Sequence, residues 1–230
     1  MVELTVPPVA GQTWRWRLPV LCVTLCHDRR GGTAAGWAPV LSGGLGMVVA
    51  NIKILLLRGV NVSGANRLPM VEFREMLADF GLSDVDTHIQ SGNAVFGDPG
   101  VKDLPARISE GMLDRFGIRP PLFLLDLADF RAVLAANPYR KQGTADGTKV
   151  HIVFLAAAAA GTDLAGLRAF ATAGEEVTLT DRALYLHTPA GFGHSTLAEK
   201  LPRFLMVQQT ARNQRSAEAI LALADAVPAA

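Results

Sequence analysis

An α+β fold of two tandem βαββαβ units packed together, plus a C-terminal helix, is what this 230-residue sequence predicts. Three observations predict it. Strand-length apolar runs and helical stripes follow one another between residues 52 and 125 in the order β-α-β-β-α-β. The same order recurs after a polar stretch at residues 139–148. Each sheet would also leave one face bare unless the two units covered each other.

Element by element, Ile52–Leu57 is a continuous aliphatic run, the mark of a strand buried on both faces. Residues 58–68 read as a loop, and Pro69 suits the first turn of a helix. Met70, Phe73, Leu77 and Phe80 recur at helical spacing, with Gly81 as the stop. Val85, Thr87 and Ile89 alternate with Asp86, His88 and Gln90, the period of a half-buried strand. Ser91-Gly92-Asn93 reads as a turn and Ala94–Phe96 as the returning strand. Leu104, Ile108, Met112 and Phe116 stripe a second helix that Gly117 closes, and Pro120-Pro121 lead into a buried strand, Leu122–Leu125. This order is ferredoxin-like.

Asp126 is the candidate cap of a helix carrying Leu127, Phe130 and Leu134, which Asn137-Pro138 ends. The polar loop Tyr139–Thr148 separates the halves. Val150–Leu155 is then a strand, Ala156–Ala160 a link, and Thr162 the cap of a helix with Leu164, Leu167 and Phe170. Val177 and Leu179, then Asp181-Arg182, then Leu184 and Leu186 spell a hairpin. Ser195 caps a helix with Leu197 and Leu201 that Pro202 bends or stops early. A short strand near Val207–Thr210 completes the second unit, and Asn213 caps a last helix with Ile220, Leu221, Ala224 and Val227 on its face. The domain plan is therefore an extension over 1–46, a first unit with its linker helix over 47–137, a connecting loop over 138–149, and a second unit with the C-terminal helix over 150–230.

The first 46 residues differ in kind from the rest: they hold all three tryptophans and both cysteines and show no sustained period. Leu18–Cys26 follows Arg15 and Arg17 as a signal-peptide core would, but His27-Asp28-Arg29-Arg30 stands where a small-residue cleavage site belongs. The expectation is a natural start at Met47, with residues 1–46 an over-extended reading frame or a disordered tail. That tail holds four basic residues (Arg15, Arg17, Arg29, Arg30) and two acidic ones (Glu3, Asp28). Of the chain's 22 basic and 21 acidic residues, 18 and 19 remain, a net charge of −1.

That balance argues against nucleic acid, and no RNP-like aromatic run adds a case for it. No apolar run reaches the ~20 residues that span a bilayer, so no membrane partner is expected. Cys22 and Cys26 cannot build a disulfide framework, which points to a reducing cytoplasm. The Cys22-x3-Cys26 spacing beside His27 could suggest a metal but lacks a second ligand pair, the scattered His88, His151 and His187 have no metal-ligand spacing, and no cofactor is implied.

Several of these segments together resemble one bacterial family, catalogued as domain of unknown function 1697. They are LLRGVNVSGANRLPM (Leu56–Met70), THIQSGNAVF (Thr87–Phe96), NPY (Asn137–Tyr139), VHIVFL (Val150–Leu155), YLHTPAGFGHS (Tyr185–Ser195) and TARN (Thr210–Asn213). The resemblance runs from about Ile52 to the C-terminal helix and omits the leader. It implies a tandem ferredoxin-like fold in a cytoplasmic bacterial protein, and no established activity. Two features depart from the family pattern: Gln214, Arg215 and Ser216 stand where a Trp and a nearby Thr usually follow TARN, and Pro202 interrupts a helix usually left unbroken.

Candidate chemistry gathers at three places. In the loop after the first strand, Gly59 and Gly64 free the backbone, Asn61, Ser63 and Asn66 supply polar groups, and a helix start follows. Arg58 and Arg67 add charge, without the spacing of a Walker A motif. Against a ligand role stands a structural one, in which Arg58 and Asn61 brace a long loop. Gln90, Ser91 and Asn93 make a second polar cluster, which the simple topology is taken to put at the opposite end of the sheet from the first; a hairpin turn is the alternative. Arg212 and Asn213 precede the last helix, where Asn213 is a cap and Arg212 faces either an anionic ligand or a carboxylate such as Glu218. His194-Ser195 lacks a nucleophile elbow, and no catalytic constellation emerges. The function these residues suggest is binding of a small anion (phosphate, nucleotide or carboxylate). A nucleic-acid module and an interaction protein without catalysis are the alternatives, and the sequence sets no oligomeric state.

Overall fold

The computed structural model describes residues 51–62, 64 and 66–228. The expectations for residues 1–46, for a start at Met47 and for Ser63 lie outside the described residues. The first half runs β1 (Asn51–Leu57), α1 (Met70–Asp79), β2 (Ser83–His88), β3 (Asn93–Asp98), α2 (Leu104–Phe116) and β4 (Leu122–Asp126). Two helices, α3 (Leu127–Ala135) and α4 (Arg140–Ala145), lead to the second half. That half runs β5 (Val150–Leu155), α5 (Leu164–Arg168), β6 (Glu176–Leu179), β7 (Ala183–His187), α6 (Thr196–Leu205), β8 (Gln209–Asn213) and α7 (Gln214–Ala226). The two antiparallel sheets have matching orders, β2-β3-β1-β4 and β6-β7-β5-β8. The predicted α+β architecture of two βαββαβ units and a C-terminal helix is the one observed.

Strand alternation sorts the core into three clusters. On β1, Leu55 and Leu57 turn toward Phe73 and Leu77 of α1 and Ile108 and Met112 of α2. Ile54 and Leu56 turn the other way, into a cluster that both sheets share. There they join Val95 and Phe123 of the first sheet, Ile152, Phe154 and Tyr185 of the second, Phe130 of α3 and Ile220 of α7. Val153 on the far face of β5 packs with Leu167 of α5 and Leu197 and Leu201 of α6. Each sheet thus has its own helical layer outside and a common layer inside, which is why β1 reads as apolar throughout. The shared layer is well specified: the Phe130 and Phe154 rings stack with centroids 5.3 Å apart, and the buried Tyr185 hydroxyl donates to the Val133 carbonyl at 2.8 Å.

Several elements differ from expectation. Ile89 lies beyond β2 with φ +49° and is exposed, because β2 is an edge strand whose turn begins there. β4 is also an edge strand, and of Leu122–Leu125 only Phe123 is buried. Asp126 precedes α3 but does not cap it; its carboxylate accepts from Lys53 Nζ at 2.6 Å. The presumed loop at 139–148 contains α4, and Tyr139 is buried there with its hydroxyl 2.8 Å from Thr178 Oγ1. Asp163, not Thr162, caps α5 by accepting from the Gly166 N–H, whereas the Thr162 hydroxyl donates to the Ala159 carbonyl. Pro202 does not stop α6, which continues to Leu205 because Leu197, Leu201 and Leu205 are all buried on one side. The last strand comes later than expected, at Gln209–Asn213, and so includes Arg212.

Candidate functional site

Antiparallel pairing of β1 with β3 sets Leu56 opposite Asn93 and brings the end of β1 beside the β2–β3 turn. The Leu57 N–H donates to the Gly92 carbonyl at 2.8 Å. The expectation that the first loop and the Gln90–Asn93 turn lie at opposite ends of the sheet is therefore wrong. β2 and β1 both run antiparallel to β3, so they end at the same edge. Gly92 makes the approach possible: it has φ +68°, and a Cβ there would sit 2.6 Å from Val60 Cγ2 and 2.8 Å from Leu57 Cβ.

Asn61 fastens the two segments. Its Nδ2 donates to the Leu68 carbonyl at 2.9 Å and the Gln90 carbonyl at 2.8 Å, while Oδ1 accepts from the Leu68 N–H at 2.8 Å. Asn66 Nδ2 donates to the Gly59 carbonyl at 2.9 Å. Both asparagines hold left-handed backbone, φ +54° and +48°, so they act as loop braces. Gln90 is exposed and contributes its carbonyl to Asn61.

Arg212 arrives from the second sheet. It pairs across β8 with Ile152, whose side chain lies in the shared layer, so the guanidinium crosses toward the first sheet. Its Nε donates to Asn93 Oδ1 at 2.5 Å, and Nη2 donates to the carbonyls of Leu57 at 2.7 Å and Ser91 at 3.2 Å. Nη1 donates to Thr210 Oγ1 and the Ala211 carbonyl at 2.9 and 2.8 Å. All five guanidinium N–H groups are thereby engaged. Asn93 is fully buried and completes the knot, its Nδ2 donating to Ser91 Oγ at 2.9 Å and the His88 carbonyl at 3.2 Å. Among the described residues no carboxylate lies within ion-pair distance of Arg212, and burial pushes its pKa down to about 10. Glu218, the partner considered from sequence, accepts from Gln214 Nε2 instead, at 2.7 Å. Asn213 caps α7 as expected, accepting from the Ser216 N–H at 2.8 Å.

Beside this knot is an open cleft of about 370 Å³, lined among others by Arg58, Ser91, His151, Phe192, Arg212 and Ser216. Arg58 is exposed and, among the described residues, forms no ion pair. Of the residues singled out from sequence, Arg58, Ser91, Arg212 and Asn213 line the cleft; Asn61, Asn66 and Asn93 brace its walls, and Gln90 lies outside it.

From sequence His151 is weighed only as a metal ligand and set aside, and Phe192 is not considered as a site residue. Their rings stack 4.2 Å apart, and His151 Nδ1 is buried without a partner among the described residues. Burial pushes the His151 pKa down to about 4, so the ring is neutral at pH 7. The only sequence signal was a polar residue inside the aliphatic strand 150–155. Gln214 and Ser216, just after Asn213, play different parts: Gln214 Oε1 is buried and accepts from Asn137 Nδ2 at 3.0 Å, while Ser216 borders the cleft. No group of His, Cys, Asp and Glu among the described residues is arranged to hold a metal ion, and none of their helices is long and apolar enough to cross a membrane.

In its fold, the chain is similar to the structure of conserved bacterial protein SP0830 from Streptococcus pneumoniae. The two share a TM-score of 0.57 and 23% sequence identity over 76% of this chain and 98% of that one. No curated protein matches. The family signature that does match extends over residues 51–185, taking in the first unit, the loop braces, the Gln90–Asn93 turn, the Asn137–Tyr139 motif and His151. By that match the chain belongs to the family described as Protein of unknown function (DUF1697).

Proposed function

We propose that the cleft beside Arg212 binds a small anion: a phosphate, a nucleotide phosphate or a carboxylate. The observation that carries this is a pair of arginines on one cleft with no carboxylate partner among the described residues. A half-buried guanidinium without a counter-ion raises the local potential, and an anion is the species that gains from it. Their parts differ. Arg212 has spent its donors on the protein, so it supplies charge and holds the walls in place. Arg58 has donors to give, and its planar fork suits a phosphate or carboxylate. Ser91, Asn213 and Ser216 add polar groups around it. We place this binder in a reducing cytoplasm, as the cysteine usage suggests.

A thermal-shift titration with inorganic phosphate and small carboxylates tests it. The melting temperature should rise with millimolar anion, and Arg58→Ala should abolish the rise while leaving the ligand-free melting temperature unchanged, since Arg58 is exposed. No rise with any anion would sink the proposal.

A further inference from the structure

A second recess, of about 200 Å³, adjoins the cleft and shares Arg58, Phe192, Thr210 and Ala211 with it. Its remaining walls are apolar, from Val153, Ala198, Leu201 and Pro202, with one exception. Gln209 stands among them, only 5% exposed, and its Oε1 is buried without a hydrogen-bond partner among the described residues. The register of β8 explains its position. Gln209 and Ala211 point away from the shared layer, opposite in sense to Thr210 and Arg212, so the strand sends its arginine into one recess and its amide into the other.

An orphaned amide oxygen in a largely apolar wall is destabilising unless something completes it. A water finds few further partners there, since Thr210 Oγ1 already accepts from Arg212 and Arg58 is the other polar side chain of the lining. A ligand ring with a hydrogen-bonding edge serves well, because rotation of the terminal amide presents either its oxygen or its N–H groups. Resting on the anion-binding proposal above, we propose that this recess takes the hydrogen-bonding ring of an organic anion. Arg58 holds the charged group at the mouth, Gln209 reads the edge of the ring, and Phe192, Val153, Leu201 and Pro202 cover its faces. The chemistry is that of a nucleoside monophosphate, in contrast to a bare phosphate or a sugar phosphate.

Isothermal titration of the full chain with inorganic phosphate, ribose 5-phosphate and the adenosine, guanosine, cytidine and uridine 5′-monophosphates tests it. At least one nucleotide should bind about tenfold tighter than ribose 5-phosphate, and Gln209→Leu should erase that advantage. The same substitution should raise the ligand-free melting temperature, because it removes an unpaired buried amide oxygen. Ala198→Phe, which fills the recess from α6, should erase the advantage independently if the first variant folds poorly. Binding of phosphate or ribose 5-phosphate with no nucleotide preference, or a preference that survives both substitutions, would overturn the ring subsite and leave the anion proposal standing. Absence of binding by every probe would overturn both.

Discussion

At the scale of single residues, polar side chains in this protein divide by what they satisfy. Asn61, Asn93 and Arg212 complete backbone groups that three chain segments would otherwise leave open. Arg58 forms no ion pair, and His151 Nδ1 and Gln209 Oε1 find no partner, among the described residues, and all three border open space. The sequence made the asparagines conspicuous because they cluster with glycines, but it could not separate brace from binder. That depends on which carbonyl each side chain reaches, and Gln90 is 29 positions from Asn61. His151 gives a direct test of burial. Its folded pKa of about 4 is below the 6.5 of the unfolded chain, so between those values the unfolded state binds the extra proton. Stability should therefore be fully expressed above pH 6.5 and fall as the pH drops toward 4, by on the order of 2–3 kcal/mol from this group. Urea unfolding across that range should show a shallower decline for His151→Phe, which keeps the stack on Phe192; an unchanged decline would refute the assignment.

At the scale of elements, the join between the first loop and the β2–β3 turn is decided by close backbone approach. Gly92→Ala forces a Cβ into Val60 and Leu57 and places alanine at φ +68°. The expected loss is about 2–4 kcal/mol in urea unfolding, combining strain with overpacking. A loss under about 0.5 kcal/mol, the level of an ordinary surface change, would mean the turn shifts freely. Periodicity made the strands and long helices legible, from the aliphatic run of β1 to the four-residue stripe of α2. It failed where packing overrode local signals. α6 passes through Pro202 because three leucines are buried along its length, and α4 forms in a polar stretch anchored by buried Tyr139 and Asn137. The two-strand edge at the site was misjudged for a geometric reason: antiparallel pairing through β3 returns the β2–β3 turn to the end of β1.

At the scale of the molecule, the two halves share one inner layer, so neither sheet is complete alone. Phe130 of α3 belongs to the first half in sequence yet stacks on Phe154 of the second. Phe130→Ala should cost about 3–5 kcal/mol and lower hydrogen-exchange protection in both sheets together. Protection lost from one sheet only would show two independent units. The sequence by itself determined the element order, the two βαββαβ units and the apolar faces that had to meet, because these follow from local periodicity and turn chemistry. Only the tertiary structure decided that Arg212 crosses from the second sheet to close the first, and that Arg58 and Gln209 border adjoining recesses. The reason is physical: each such contact joins residues more than a hundred positions apart, and its position is fixed by strand register and the packing of one sheet on the other.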